Sequence, residues 1–364
     1  MSAGSDGLLV GVVTSPVRVE ARVVEWTPFG RLRVARRRLV EDVMAPSGFV
    51  APPVQRQLAR VSQAPGEEQA AESWVQSVAS SVEQLLFGLR GSSVRIGLAL
   101  DGWLDGRGHS VLAARGGPRV EGFPDRLTNT LRARGVPLRD PLRSIASLEA
   151  AAALGEIWSP LGAMAGGPGG LVTCWDTEAS WAEVAGGRVV REGRELPGGP
   201  SDLGLAALSA GWRSRAGGTV ELRQALGRRD PRATAWVAEA ARRLGEASGR
   251  RLLERLQRTT DQPPGPGAHG GAEGLVVTGA LGELLSAGSF GGSMDSGLVL
   301  RLSEREDASM LAGWIERDGE RLVPCEGLLR RGQGARGLVV GAAASGLLDR
   351  LPADAPRSPS GGLE

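Results

Sequence analysis

The chain has 364 residues, a formal net charge of +2, two histidines, two cysteines and no tyrosine; all 43 of its basic residues are arginine. That length buries a sizeable core and points to two domains, and so small a basic excess is no electrostatic footprint for nucleic acid. Lacking lysine, the chain has no Walker lysine, Schiff-base lysine or Ser-Lys dyad, and Cys174 and Cys325, far apart and outside any Cys/His cluster, indicate neither a disulfide framework nor a zinc site.

The opening MSAGSDGLLVGVV lacks the basic start of a signal peptide, and no apolar run reaches the roughly 18 residues of a membrane span. A cytoplasmic protein with no membrane partner is expected. Gly7–Val13 reads as a short apolar strand. VRVEARVVEW and FGRLRVARRRLV read as two more, joined at Thr27-Pro28, with the basic run Arg31–Arg38 on an exposed strand face. Glu41–Glu68, rich in Pro, Gln and Ala, reads as a surface excursion. A helix follows, with Val75, Val78, Val82, Leu85, Leu86 and Leu89 on one face and Gly91 as its stop. Val94–Leu100 is the next strand. Asp101 and Asp105 then stand where ligands meet α/β sheets, although Asp-Gly is equally a turn pair.

Ser147–Trp158 (SLEAAAALGEIW) predicts a helix with Ser147 as N-cap and Glu149 as a first-turn acid. A Gly-rich turn (Ala165–Gly170), a strand (Leu171–Trp175), DTEASW and a second strand ending AGGRVV come next. His109 and His269 lie in Gly-rich loops and read as exposed. Asp230 as cap and Pro231 at the first helical position open a long helix with a stripe through Trp236, Ala240, Leu244, Leu252 and Leu256. Gly245 and Gly249, one turn apart, let another backbone approach it. After a linker (Asp261–Glu273) and the strand GLVVTGAL, Gly337–Leu351 reads as a strand and a small-residue helix, and the final residues as a disordered tail.

The order of these elements, with AAAALGE (Ala150–Glu156), a hairpin closing on Gly187-Arg188 and GAAASG (Gly341–Gly346), resembles the ROK family of sugar kinases and sugar-responsive repressors. The resemblance implies an α/β fold of two RNase H-like (actin-like ATPase) domains with a cleft between them. Its boundaries are 1–140 for the N-terminal domain, 141–336 for the C-terminal domain, 337–352 for a strand and helix returning to the first, and 353–364 for the tail.

The chemical residues of the family are mostly replaced. Its first turn reads Asp-x-Gly-Gly-Thr, whose amides approach ATP phosphates and whose Asp helps hold magnesium; here VVTSPVRVE leaves Thr14 as the cofactor-binding candidate, and Pro16 lacks an amide donor. The catalytic Asp, which takes a proton from the sugar hydroxyl, falls on Leu148, which cannot be a general base; Asp101, Glu149 and Asp176 remain as substitutes. The phosphate turn falls on Asp176-Thr177-Glu178, whose carboxylates repel phosphate unless magnesium bridges them. Thr177 is the cofactor candidate there, and Gly279 is the surviving glycine of the nucleotide loop. The substrate-binding positions fall on Gly117 (or its neighbour Gly116), Glu195 and Glu221, and with the family's histidine and zinc cysteines missing no metal is expected.

The resemblance thus implies a ROK-like pseudokinase without phosphotransfer or cofactor, a sugar-binding or regulatory module. The alternative is a divergent ATP-dependent hexose or N-acetylamino-sugar kinase (glucokinase-like), which needs Mg-ATP. A DNA-bound repressor is disfavoured because strand text begins by Leu8 with no helix-turn-helix before it, so no nucleic acid is expected. A small sugar, a homodimer or an unknown protein is the expected partner.

Overall fold

The computed structural model describes residues 7–43, 46, 48–59, 64–89, 93–165, 169–175, 179–194, 224–226, 228–260, 274–278, 291–303, 315–318, 321–324 and 329–347. The chain divides into two compact units, residues 1–165 with 335–364, and residues 166–334.

In the first unit β1 (Leu8–Ser15), β2 (Arg18–Trp26) and β3 (Leu32–Asp42) form an antiparallel meander. The chain then forms α1 (Val54–Leu58), α2 (Glu67–Leu86), β4 (Val94–Leu100), the small hairpin β5 (Trp103–Leu104) and β6 (Val111–Ala113), α3 (Phe123–Ala133), β7 (Ala146–Ser147) and α4 (Leu148–Trp158). β4 runs parallel to β1 and β7 parallel to β4, giving the order β3-β2-β1-β4-β7. The apolar face of α2 expected from its spacing is the one it buries: Trp74, Val75, Val78 and Val82 pack with Val10, Val12 and Ala21 in one core. α3 adds Phe123, Leu127 and Leu131, and Phe123 meets Trp74 edge to face at 5.5 Å.

The opposite face is built from small residues. A Cβ on Gly11 or Gly97 would collide with the carbonyls of Val339 and Ala342 in the C-terminal helix, Gly334–Ser345. A Cβ on Gly155 or Gly341 would collide with the carbonyls of Gly337 and Ala151. AAAALGE and GAAASG are therefore two surfaces of one backbone-to-backbone helix contact, and that contact is why both are Ala- and Gly-rich. The strand expected within Gly337–Val340 is helix instead: Leu338, Val339, Val340 and Ala342–Ala344 are all buried, and an apolar run buried on every side carries no period to separate helix from strand. The first compact unit continues through Ala165, because β7 joins the first sheet and leads into α4, which packs against the returning C-terminal helix.

The second unit contains β8 (Gly169–Trp175), β9 (Ala179–Ala185), β10 (Arg188–Arg194), α5 (Pro231–Thr260), β11 (Gly274–Thr278), α6 (Gly291–Ser303), β12 (Ile315–Asp318), β13 (Arg321–Pro324) and β14 (Leu329–Arg331); the C-terminal helix of the first unit is α7. Gly186 and Gly187, both at positive φ, make the two-residue turn between β9 and β10. β11 pairs parallel with β8 and β14 parallel with β11, in the order β10-β9-β8-β11-β14. Asp230 caps α5, accepting from the amides of Arg232 and Ala233 at 2.7 and 3.2 Å. The close approach anticipated at Gly245 is made by α6: a Cβ there would strike the Met294 carbonyl, and one on Gly297 the Arg242 carbonyl. Among the described residues the main sheet of each unit thus has three antiparallel strands followed by two parallel ones, the RNase H-like topology that the actin-like fold repeats.

Candidate functional site

Parallel pairing gathers several candidates at the carboxyl edge of the first sheet. Thr14 of β1 lies opposite Leu100 of β4, and Leu100 opposite Ser147 of β7. The Asp101 amide donates to the Thr14 carbonyl at 2.9 Å. Thr14, Asp101, Leu148 and Glu149 therefore share the edge at which α/β sheets bind ligands.

The details at that edge are structural. The Thr14 hydroxyl is buried and accepts from the Trp74 indole N–H at 2.9 Å, so it satisfies a core donor. Pro16 and Val17 make the tight β1–β2 turn, with Ser15 paired to Arg18. A Cβ on Gly117, the position of the expected sugar contact, would overlap the Pro16 ring. The Ala114–Gly117 turn is held by Gln57 of α1. Its Oε1 accepts from the Ala114 amide at 3.1 Å, and its Nε2 donates to the carbonyls of Ala114 (3.0 Å), Gly117 (3.3 Å) and Pro52 (2.8 Å).

Nearby, Glu67 at the start of α2 receives the Arg119 guanidinium at 2.8 and 2.9 Å, the Arg119 amide at 3.0 Å and the Ala64 amide at 2.9 Å. Burial pushes this carboxyl up, but the Arg119 and Ala64 hydrogen bonds outweigh it and hold Glu67 below the usual carboxylate range. The stretch from Glu41 to Glu68 is thus more than a surface excursion: it supplies Gln57 and Glu67. Nothing in its Pro- and Gln-rich composition signalled either residue, since both act through backbone groups more than fifty residues away.

At α4, the Ser147 hydroxyl accepts from the Ala150 amide at 3.1 Å, the N-cap that the sequence implied. Leu148 and Glu149 are both buried. Glu156 is fully buried and accepts from the Ala163 amide at 2.9 Å, pinning the loop after α4. The helix's other end is met by buried Arg31, which donates to the Ile157 carbonyl. This cation satisfies an orphan carbonyl at the negative end of the dipole. Asp105 is a turn residue, accepting from the amides of Arg107 (3.1 Å) and His109 (2.8 Å); burial raises its carboxyl, these bonds lower it, and the net shift is down.

In the second unit Asp176, Thr177, Glu195, Glu221 and Gly279 lie outside the described residues. β8 reaches Trp175 and β11 reaches buried Thr278, paired with buried Cys174. Trp181 is a packing residue: its ring lies against Gly193 and under the Arg251 guanidinium, 4.3 Å from the ring centroid. Asp295 on α6 is pushed up by burial, a feature with no local signature in the sequence. Among the described residues no three His, Cys, Asp or Glu side chains are grouped to hold a metal, and no helix is long and apolar enough to cross a membrane.

No protein-family model and no curated protein sequence matches the chain. Solved structures do. The chain is similar to a ROK family glucokinase from Streptomyces griseus, solved with glucose and AMPPNP, at 18% identity over 93% of this chain and 98% of that one, with a TM-score of 0.53. It is similar to a ROK hexokinase from Thermus thermophilus at 22% identity over 94% and 98%, TM-score 0.52. It is also similar to a ROK family transcriptional regulator, a homolog of the E. coli MLC protein, at 14% identity over 94% and 80%, TM-score 0.54. With these likenesses beside the duplicated topology described above, the chain has the ROK-family fold.

Proposed function

We propose that the chain is a ROK-like pseudokinase: it keeps the sugar-kinase fold, lacks phosphotransfer, and acts as a sugar-binding or regulatory module. The observation that carries this reading is the packing at the first turn. A phosphate loop needs free backbone amides and a hydroxyl or carboxylate turned toward the metal. Here Pro16 has no amide to give and covers Gly117, and the Thr14 hydroxyl is bound to Trp74. The described residues of this edge do not fit Mg-ATP, and no chemical step is assigned through it. The family's base position, Leu148, is a buried apolar side chain at the first turn of α4, and loss of a general base removes a factor of about 10² to 10⁴ by itself.

The glucokinase-like alternative rests on Asp101, the half-buried carboxylate at the end of β4. The test is a thermal-unfolding scan of the whole chain with Mg-ATP, with a panel of hexoses and N-acetylamino sugars, and with both. A ligand of the folded state raises the midpoint by mass action. A rise with one sugar alone supports the module; a rise with Mg-ATP that sugar enhances supports the kinase and overturns the proposal.

A further inference from the structure

The first unit leaves a long strand edge open. β3 is the terminal strand of its sheet and runs for 11 residues. Among the described residues no strand pairs with its outer side, so its outward N–H and C=O groups form an unused ladder. The side chains make that edge basic. The register sets Arg22 opposite Arg38, and one carboxylate, Glu20, serves Arg22 at 2.6 Å, Arg38 at 3.2 Å and Arg18 at 4.0 Å. Arg36, in the bulged segment between Val34 and Arg38 where β3 leaves its register with β2, is exposed. Three guanidiniums on one carboxylate, with a fourth beside them, leave an excess of positive charge along the edge. On the other face Arg37 donates to the Phe87 carbonyl, which sets Phe87, 79% exposed, beside the strand.

We propose that β3 is the docking edge for an extended acidic segment of a partner protein, which adds to the sheet as a further strand. Charge complementarity selects that occupant. A second copy of β3 would set one arginine row against another, and like charges across a strand pair are destabilising. An acidic strand pairs with the edge through its own amides, brings carboxylates to the exposed Arg36 and Arg38, and has an apolar anchor in Phe87. A polyphosphate or nucleic acid would meet the charges and leave the ladder unused. The inference is independent of whether any sugar binds.

The experiment uses the full chain and a labelled peptide of about ten alternating Glu and Thr residues, matched to the length of the strand. Anisotropy measures binding, and amide hydrogen exchange is followed over residues 32–42. The expected result is saturable binding, slowed exchange across β3, loss of binding when the peptide's amides are N-methylated, and at least about tenfold weakening in Arg36→Glu. Arg36 is exposed, so this variant retains its fold, which circular dichroism checks; Arg33→Glu, at the far end of β3 and paired with Glu25, serves as the second variant and shows the smaller loss. No binding at about 1 mM peptide, equal binding of the N-methylated peptide, or unchanged exchange over β3 overturns the proposal. So does tighter binding of polyphosphate or single-stranded DNA than of the peptide at equal charge, since that assigns the edge to a polyanion.

Discussion

Thr14, expected from the resemblance as a cofactor contact, has a packing role in the structure. Its hydroxyl stands at the end of β1, yet its partner is the buried indole of Trp74. Thr14→Val keeps the shape and orphans that N–H, so unfolding free energy falls by about 1–3 kcal/mol, read from urea midpoints, while the response to Mg-ATP stays as it was. Glu67 makes a pH-dependent contribution. Its carboxyl is held below its ordinary value, so its stabilisation is fully present above the usual carboxylate range and is lost as pH falls through the lowered folded value. Glu67→Gln is therefore less stable than the parent chain at pH 7, and the two converge in acid once the pH has fallen below the lowered folded value. Urea titrations at both pH values measure the gap; a gap that is constant with pH contradicts the assignment. Neither role was legible from local sequence, because each depends on a partner more than fifty residues away.

At the scale of elements, the caps and apolar stripes were legible and the helix contacts were not. Ser147 and Asp230 cap their helices as their residue types imply, and α2 buries the face its spacing marks. The Ala- and Gly-rich runs pointed to the family, but their physical cause is the contact between α4 and α7. Gly341→Val places carbon in the space of the Ala151 carbonyl and costs at least about 2 kcal/mol. Gly106→Ala, with open space around it, stays within about 0.5 kcal/mol of the parent. Equal effects in thermal unfolding would contradict the packing described. The misread strand at Gly337–Val340 has the same origin: side chains buried all round leave no polar face from which to read a period.

For the whole molecule, the family resemblance implied two repeats of one α/β topology, and both five-stranded sheets have it. Strand order follows from local alternation and short connections, which sequence carries well. The site is less legible. The sequence shows that the Asp and both glycines of a phosphate loop are absent around Thr14-Ser15-Pro16; only the coordinates show Pro16 against Gly117, whose carbonyl is held by Gln57. Fold and chemistry separate here because packing at the sheet's core and groups at its edge are set by different residues.

The central claim is that the fold persists without phosphotransfer, and the most direct measurement is sugar-dependent ADP formation. The full chain, with Mg-ATP and each sugar of a hexose and N-acetylamino-sugar panel, is followed in a coupled assay beside Asp101→Asn. The account predicts no ADP above the sugar-free background for either protein. Turnover that requires a sugar and is abolished in Asp101→Asn would contradict it and identify Asp101 as a displaced base.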